Sequence, residues 1–187
     1  EGFRREDWRS VPLVTIDPPD AKDHDDAVFA EPDDAKDNEG GHVVTVGIAD
    51  VSCYVRPHSQ LDREALARGN SVYFPDRVVP MLPERISNDL CSLRPDEDRP
   101  ALAVRMRIDK HGKKIGHTFH RVMMRSAAKL SYQQAQQAWD GKPDATCAPG
   151  SSHAASRSHR APSLRLQQRT PWTRPRATPD PRRAIVA

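Results

Sequence analysis

Two segments of alternating apolar residues, 99–108 and 115–124, most restrict how this chain can fold. Between Leu102 and Ile108 an apolar side chain recurs at every second position, which is the period of a strand with one buried face. The segments are joined by Asp109-Lys110-His111-Gly112, a sequence typical of a turn. The pattern therefore predicts a β-hairpin.

Shorter patterns surround this hairpin. We expect strands at 27–30 and 42–50, joined in hairpin fashion by the polar residues 31–41. Helices are predicted at 61–68, where Gly69 ends the helix, at 83–90, and at 131–139, where Ser131 is a suitable N-cap. Hairpins interspersed with short helices favour an α+β fold.

The composition changes near residue 145. Residues 145–187 contain eight Arg, no Lys, one acid and no Phe or Tyr, whereas residues 1–144 contain 21 basic and 25 acidic residues. The net positive charge therefore belongs to the tail and does not identify a nucleic-acid-binding domain. We expect one folded segment at 1–144 and a disordered Arg/Pro-rich tail at 145–187. A reading-frame shift could have produced the tail; a basic RNA-tethering segment is the alternative.

The cysteines and the hydropathy exclude several classes of protein. Cys53, Cys91 and Cys147 are far apart and lack C-x-x-C spacing, which argues against a zinc site and a disulfide framework. Cys53 and Cys91 lie in apolar contexts and are predicted to be buried. The sequence has no apolar run near 18 residues and no signal-like N-terminus, so we expect a cytoplasmic protein without a membrane partner.

A cluster of aspartates lies between two apolar runs, with two prolines stiffening the segment. Such a cluster is either a solvated turn or a site for a hard cation such as Mg²⁺, Mn²⁺ or Ca²⁺. An EF-hand is excluded because Ala27 replaces a ligand and Val28 replaces the required glycine. Asp50, at a predicted strand end, is a second candidate ligand, with a cap or salt bridge as the alternative. The clustered aspartates are Asp17, Asp20, Asp23, Asp25 and Asp26.

Seven blocks of sequence, in order, resemble the catalytic RNB domain of the ribonuclease II / ribonuclease R family, and the ribonuclease R branch most. The resemblance extends from about residue 1 to about residue 144. The blocks are Ile16-Asp17, Asp23–Val28, Ile48–Ser52, Ser71–Pro75, Pro80–Pro83, Ser87–Leu93 and Ala128–Tyr132.

The resemblance implies a processive, hydrolytic 3′→5′ exoribonuclease that releases nucleoside 5′-monophosphates from single-stranded RNA using Mg²⁺, or alternatively Mn²⁺. It also implies that Tyr73 stacks near the RNA 3′ end and that Tyr132 lies near the catalytic cavity, while Phe74 is expected in the core. His24, where other members have Phe, is assigned no chemistry. Asp17, Asp23, Asp25 and Asp26 match the metal-binding acids of the family, with Asp25 expected to matter most.

Other parts of the family pattern are not found in this sequence. They are the cold-shock-type and S1-type RNA-binding domains and a downstream Ser-Pro-Ile-Arg-type segment that supplies a catalytic arginine. A non-catalytic metal- or RNA-binding remnant is therefore the alternative function.

Overall fold

The computed structural model describes residues 4–142, and within this range the strands form a seven-stranded sheet and a two-stranded ribbon. The predicted tail lies outside the described residues. The sheet strands are β1 (Glu6–Trp8), β2 (Val14–Asp17), β3 (Asp26–Pro32), β4 (His42–Ala49), β7 (Asp98–Ile108), β8 (Lys114–Arg125) and β9 (Ala128–Ser131); β5 (Val72–Tyr73) and β6 (Val78–Val79) form the ribbon.

The predicted hairpin is formed by β7 and β8, and β7 lies next to the central strand β4. The strand order is β1-β8-β7-β4-β3-β2-β9, with β7 antiparallel to both β8 and β4. The β3–β4 hairpin is also confirmed, and its connection contains a short 3₁₀ turn at Lys36–Asn38. At the two ends of the sheet, β1 pairs in parallel with β8, and β9 pairs in parallel with β2. The α+β fold expected from the sequence is confirmed.

Two of the three predicted helices form as regular α-helices. Helix α1 (Gln60–Arg68) begins after the N-cap Ser59 and ends at Gly69, whose φ of +76° suits a residue without a Cβ. Helix α2 (Tyr132–Trp139) begins at Ser131, which forms a capping box with Gln134. The third prediction is only partly correct, because residues Arg85–Leu90 form a π-helical turn instead of an α-helix.

The buried face of the sheet is made largely of small residues. On β7, Ala101 and Ala103 are buried, whereas Leu102 between them is 43% exposed. The alternation therefore predicts the strand but not which of its faces is covered. Small side chains on this face leave room for Leu13 and Leu93, which pack against it in the core. The main buried core consists of Trp8, Leu13, Ala27, Ala49, Cys91, Leu93, Ala101, Ala103, Val122 and Met124.

The prediction for the two cysteines of this part of the chain is half right. Cys91 is buried in the core, but Cys53 is exposed. Cys53 follows the strand end and approaches the guanidinium of Arg5, with Nη2 2.7 Å from Sγ. Among residues 4–142, no helix is both long enough and apolar enough to span a membrane.

Candidate functional site

The acidic segment is a loop between two neighbouring strands. Asp17 is the last residue of β2 and Asp26 is the first residue of β3. These strands are antiparallel neighbours, with Val14 opposite Val28. Because both ends of the loop are fixed to the sheet, Asp17 and Asp26 are held at the same end of adjacent strands.

Backbone hydrogen bonds hold the loop in place. The Ala21 amide donates to the Pro18 carbonyl at 3.0 Å, which makes a turn after β2. The carbonyl of His24 accepts from the Leu93 amide at 2.6 Å, and that of Asp25 accepts from the Ala49 amide at 2.8 Å. Leu93 is fully buried and Ala49 nearly so. The second half of the loop is thus attached to the core, and the alternative of a freely solvated acidic turn does not describe it.

A side-chain hydrogen bond joins the first half of the loop to the second. His24 Nδ1 lies 2.7 Å from Asp17 Oδ2, and only 3% of the His24 side chain is exposed. An ionised carboxylate can only accept, so Nδ1 carries the proton and donates it. His24 Nε2 is buried without a hydrogen-bond partner among the described residues. The sequence reasoning assigned no chemistry to His24; its place among four carboxylates was the available signal.

The four predicted aspartates influence one another electrostatically. Burial raises the pKa of Asp25, and the negative charges of Asp26, Asp23 and Asp17 raise it further. Asp25 as a whole residue nevertheless remains exposed to solvent. Repulsion of this kind is relieved when a cation binds between the carboxylates.

The carboxylate oxygens of the loop are suitable ligands for a divalent cation, but among the described residues they are not yet arranged as a metal site. Four carboxylates supply the hard oxygen ligands that Mg²⁺ and Mn²⁺ prefer. Nevertheless, no three His, Cys, Asp or Glu residues within 4–142 are already arranged to hold a metal ion. The assignment of Asp17, Asp23, Asp25 and Asp26 as ligands therefore stays a prediction.

Asp50 belongs to an ion-pair cluster, which is the alternative considered for it. Its carboxylate is 6% exposed and accepts from Arg5 at 2.7 Å and from Arg121 at 2.8 Å. Burial acts to raise the pKa of Asp50, but hydrogen bonds from Ser52 and Arg5 and the two guanidinium charges outweigh it, and the pKa is lowered. The Asp50 carboxylate is thus paired with two arginines of the chain, as in the salt-bridge alternative to a metal-ligand role.

The predicted RNA-contacting tyrosines are both accessible. Tyr73, in the ribbon, is 68% exposed, and Tyr132, at the start of α2, is 58% exposed. The placement of Phe74 in the core was wrong. Phe74 is 47% exposed, and the Arg77 guanidinium lies 5.2 Å from its ring centroid. With residues on both sides exposed, the two-stranded ribbon provides no core for Phe74 to enter.

A cleft beside the acidic loop carries basic side chains. It is bounded in part by His24, Ser92, Lys22, Lys129 and Arg94. Arg94 is paired with Asp89 at 3.1 Å. Lys22 and Lys129 are exposed and make no ion pair with any of the described residues 4–142. The ammonium groups of these two lysines are therefore available to bind the phosphates of a nucleic-acid backbone beside the acidic loop.

Comparison with protein families identifies one match that covers most of the chain. The family model described as "RNB domain" matches residues 5–171, which includes residues beyond the predicted boundary at 144. Ribonuclease R of Vibrio parahaemolyticus is 51% identical over 137 residues, which are 73% of this chain and 16% of that protein. Ribonuclease R of Escherichia coli is 49% identical over 140 residues, 75% of this chain and 17% of that protein. The chain thus spans about one sixth of the length of these relatives.

Solved structures give the same result for the fold. RNase R of Mycoplasma genitalium in complex with double-stranded RNA has a TM-score of 0.71 at 32% identity, covering 80% of this chain and 26% of that one. The same protein in complex with ribose-methylated single-stranded RNA has a TM-score of 0.68 at 34% identity, covering 75% and 21%. Yeast Ssd1, described as a pseudonuclease, is 19% identical with a TM-score of 0.61, covering 71% and 16%, and shares the fold.

Proposed function

Because the chain belongs to the RNB domain family, we propose that it is part of a hydrolytic 3′→5′ exoribonuclease domain. In this proposal the domain acts processively on RNA and releases nucleoside 5′-monophosphates. The observation that carries it is the acidic loop, whose ends are fixed to adjacent strands and joined by the His24–Asp17 hydrogen bond. The cytoplasmic location expected from the sequence stays a prediction.

Asp17, Asp23, Asp25 and Asp26 would hold Mg²⁺, or Mn²⁺ in its place. When bound, such cations activate water and neutralise charge on a phosphodiester. The contribution of the chain itself is positional. The Ala49 and Leu93 amides fix the backbone of the loop at Asp25 and His24, so the carboxylates are presented together.

Single-stranded RNA, entering by its 3′ end, is the proposed substrate. Two of the similar structures are of Mycoplasma genitalium RNase R in complex with RNA, one with single-stranded and one with double-stranded RNA. In this chain Tyr73 and Tyr132 have exposed rings on which a base could stack, an interaction of about 1–3 kcal/mol per base that does not depend on sequence. Lys22 and Lys129 would contact phosphates beside the acidic loop.

A second candidate function is binding of metal or RNA without cleavage. It is favoured by the cleft beside the acidic loop, where the exposed Lys22 and Lys129 would bind phosphates whether or not the RNA is cleaved.

An RNA-degradation assay separates the two functions. Single-stranded RNA labelled at its 5′ end is incubated with the 187-residue chain and Mg²⁺. The proposal predicts progressive shortening from the 3′ end, release of nucleoside 5′-monophosphates and inhibition by EDTA. Asp25→Asn is expected to abolish the reaction, whereas the matched control Asp20→Asn, an exposed acid of the same loop, is expected to keep it. RNA binding without shortening would favour the second function, and a chain that binds neither RNA nor metal and cleaves no RNA would contradict both.

A further inference from the structure

We propose that His24 is a positioning residue, whose Nδ1–H holds the Asp17 carboxylate in the orientation that divalent-cation binding requires. This inference rests on the proposed function, because it assigns His24 a task at the same acidic loop. It goes beyond that function because His24 is not one of the four acids and makes no contact with substrate in the proposal.

The hydrogen bond fixes which oxygen of Asp17 is free. Oδ2 accepts from His24 Nδ1 at 2.7 Å, and Oδ1 has no hydrogen-bond partner among the described residues. A carboxylate that is held by one oxygen cannot rotate freely, so its other oxygen is presented in a defined direction. Asp17 thereby keeps one oxygen available for a cation.

The imidazole is itself rigidly placed. The His24 side chain is 3% exposed, and its carbonyl accepts from the Leu93 amide at 2.6 Å. Its backbone amide lies 3.4 Å from the hydroxyl oxygen of buried Ser92. The backbone of His24 and its ring Nδ1 are thus both fixed by hydrogen bonds. The ring therefore loses little conformational entropy when Asp17 binds a cation, and this favours binding.

Burial of a polar ring with an unpartnered Nε2 has a cost in stability. A buried nitrogen without a partner destabilises the folded chain, and an apolar side chain of similar size in the same space would avoid that cost. The Nδ1–H donor toward Asp17 is the one property of this side chain that an apolar residue cannot supply. Because the buried ring has this cost and supplies this donor, a positioning role explains His24 better than simple filling of the core.

Three substitutions separate the donor from the volume of the side chain. Asn places an amide NH₂ near the position of Nδ1, whereas Gln places it near the position of Nε2, and Phe removes it. The measurement is the affinity of the 187-residue chain for Mn²⁺, followed by EPR of the free ion, with circular dichroism to compare folding. His120→Phe is the matched control, because His120 also contacts a carboxylate, with Nδ1 3.0 Å from Glu6 Oε1, but lies outside the acidic loop.

Loss of a partner that orients a metal ligand typically weakens metal affinity by about 10–100-fold. We expect a loss of this size in His24→Phe and His24→Gln, and affinities within about threefold of the unsubstituted chain in His24→Asn and His120→Phe. ¹⁵N NMR of the His24 ring should also show the Nδ1–H form, and Asp17→Asn should shift that resonance.

Three results would overturn the inference. Mn²⁺ affinity in all three His24 variants equal to that of the unsubstituted chain would mean that the donor does not matter, while the proposed function would stand. Equal losses in all three, with unchanged circular dichroism, would mean that the ring acts through something other than Nδ1–H. Absence of Mn²⁺ binding in the unsubstituted chain would instead overturn the metal site of the proposed function, and this inference with it.

Discussion

The carboxylate of Asp50 and the guanidinium of Arg121 are 71 residues apart in sequence and 2.8 Å apart in space. Arg5 donates to the same Asp50 oxygen at 2.7 Å. The cluster therefore connects the residue before β1, the residue after β4 and strand β8 through one carboxylate that is 6% exposed. Its removal tests the central part of the sheet.

Asp50→Ala is expected to lower the free energy of unfolding by about 2–3 kcal/mol, because two guanidinium groups lose this carboxylate and one of them is largely buried. The measurement is a urea denaturation curve. Asp76→Ala is the control: the Asp76–Arg77 pair is exposed on both sides, and its loss should change the free energy of unfolding by less than about 0.5 kcal/mol. Equal effects of the two substitutions on the free energy of unfolding would contradict a stabilising role of the Asp50 ion pairs.

The same carboxylate predicts how stability depends on pH. Burial opposes the ionisation of Asp50, yet the hydrogen bonds from Ser52 and Arg5 and the guanidinium charges prevail, so its pKa in the folded chain is lowered. The unfolded chain then binds the proton more readily, with an Asp pKa of about 3.9. The stabilisation is complete above that value and is lost as the pH falls through the folded-state pKa. The stability difference between the unsubstituted chain and Asp50→Asn should therefore shrink below about pH 4. A difference that stays constant down to pH 3 would refute this.

Gly47 is predicted to tolerate no larger side chain. A Cβ at this position would lie 3.2 Å from Met124 Sδ and 3.8 Å from Leu13 Cδ1. Gly47→Val adds two further methyl groups to this contact and is expected to cost about 1–3 kcal/mol by overpacking. Gly116→Val is the matched strand control, because nothing lies within 4 Å of a Cβ there. Thermal unfolding should show a lower midpoint for the Gly47 variant only, and a similar decrease in both would argue against close packing at Gly47.

Lys22 and Lys129 are predicted to contact RNA phosphates. Replacing both with Ala should weaken the binding of single-stranded RNA and reduce the slope of log affinity against log salt by about 1.4, which corresponds to two contacts. Fluorescence anisotropy at several salt concentrations measures both quantities. Lys110→Ala, at the exposed β7–β8 turn, should leave the slope unchanged. If the double variant kept the original slope, the cleft would not be part of the RNA path.

The sequence predicts the local elements of this fold better than the contacts between distant residues. The β7–β8 hairpin and the two capped helices follow from alternation, Gly69 and Ser131, which are properties of neighbouring residues. Which face of β7 is buried could not be predicted, because Ala101 and Leu102 are both apolar and burial depends on what packs against them. The Asp50–Arg121 pair and the parallel pairing of β2 with β9 depend on register between distant strands, which no local pattern specifies.

In the candidate site, too, the residues could be predicted from the sequence but a contact between them could not. The four aspartates were identified from their spacing and from the family resemblance, and the structure places them on one loop whose charges interact. The His24–Asp17 hydrogen bond was missed, because the position of His24 among the aspartates indicates that it lies near the site but not that its ring contacts Asp17.

The most direct test of the central claim is a Mn²⁺ titration of the 187-residue chain, followed by EPR, comparing the unsubstituted protein with Asp25→Asn and Asp20→Asn. If the loop is a divalent-cation site, the unsubstituted chain and Asp20→Asn should bind Mn²⁺ with similar affinity, and Asp25→Asn should lose most of that affinity. Binding that is absent from the unsubstituted chain, or that is equal in all three proteins, would contradict the assignment of these aspartates as metal ligands.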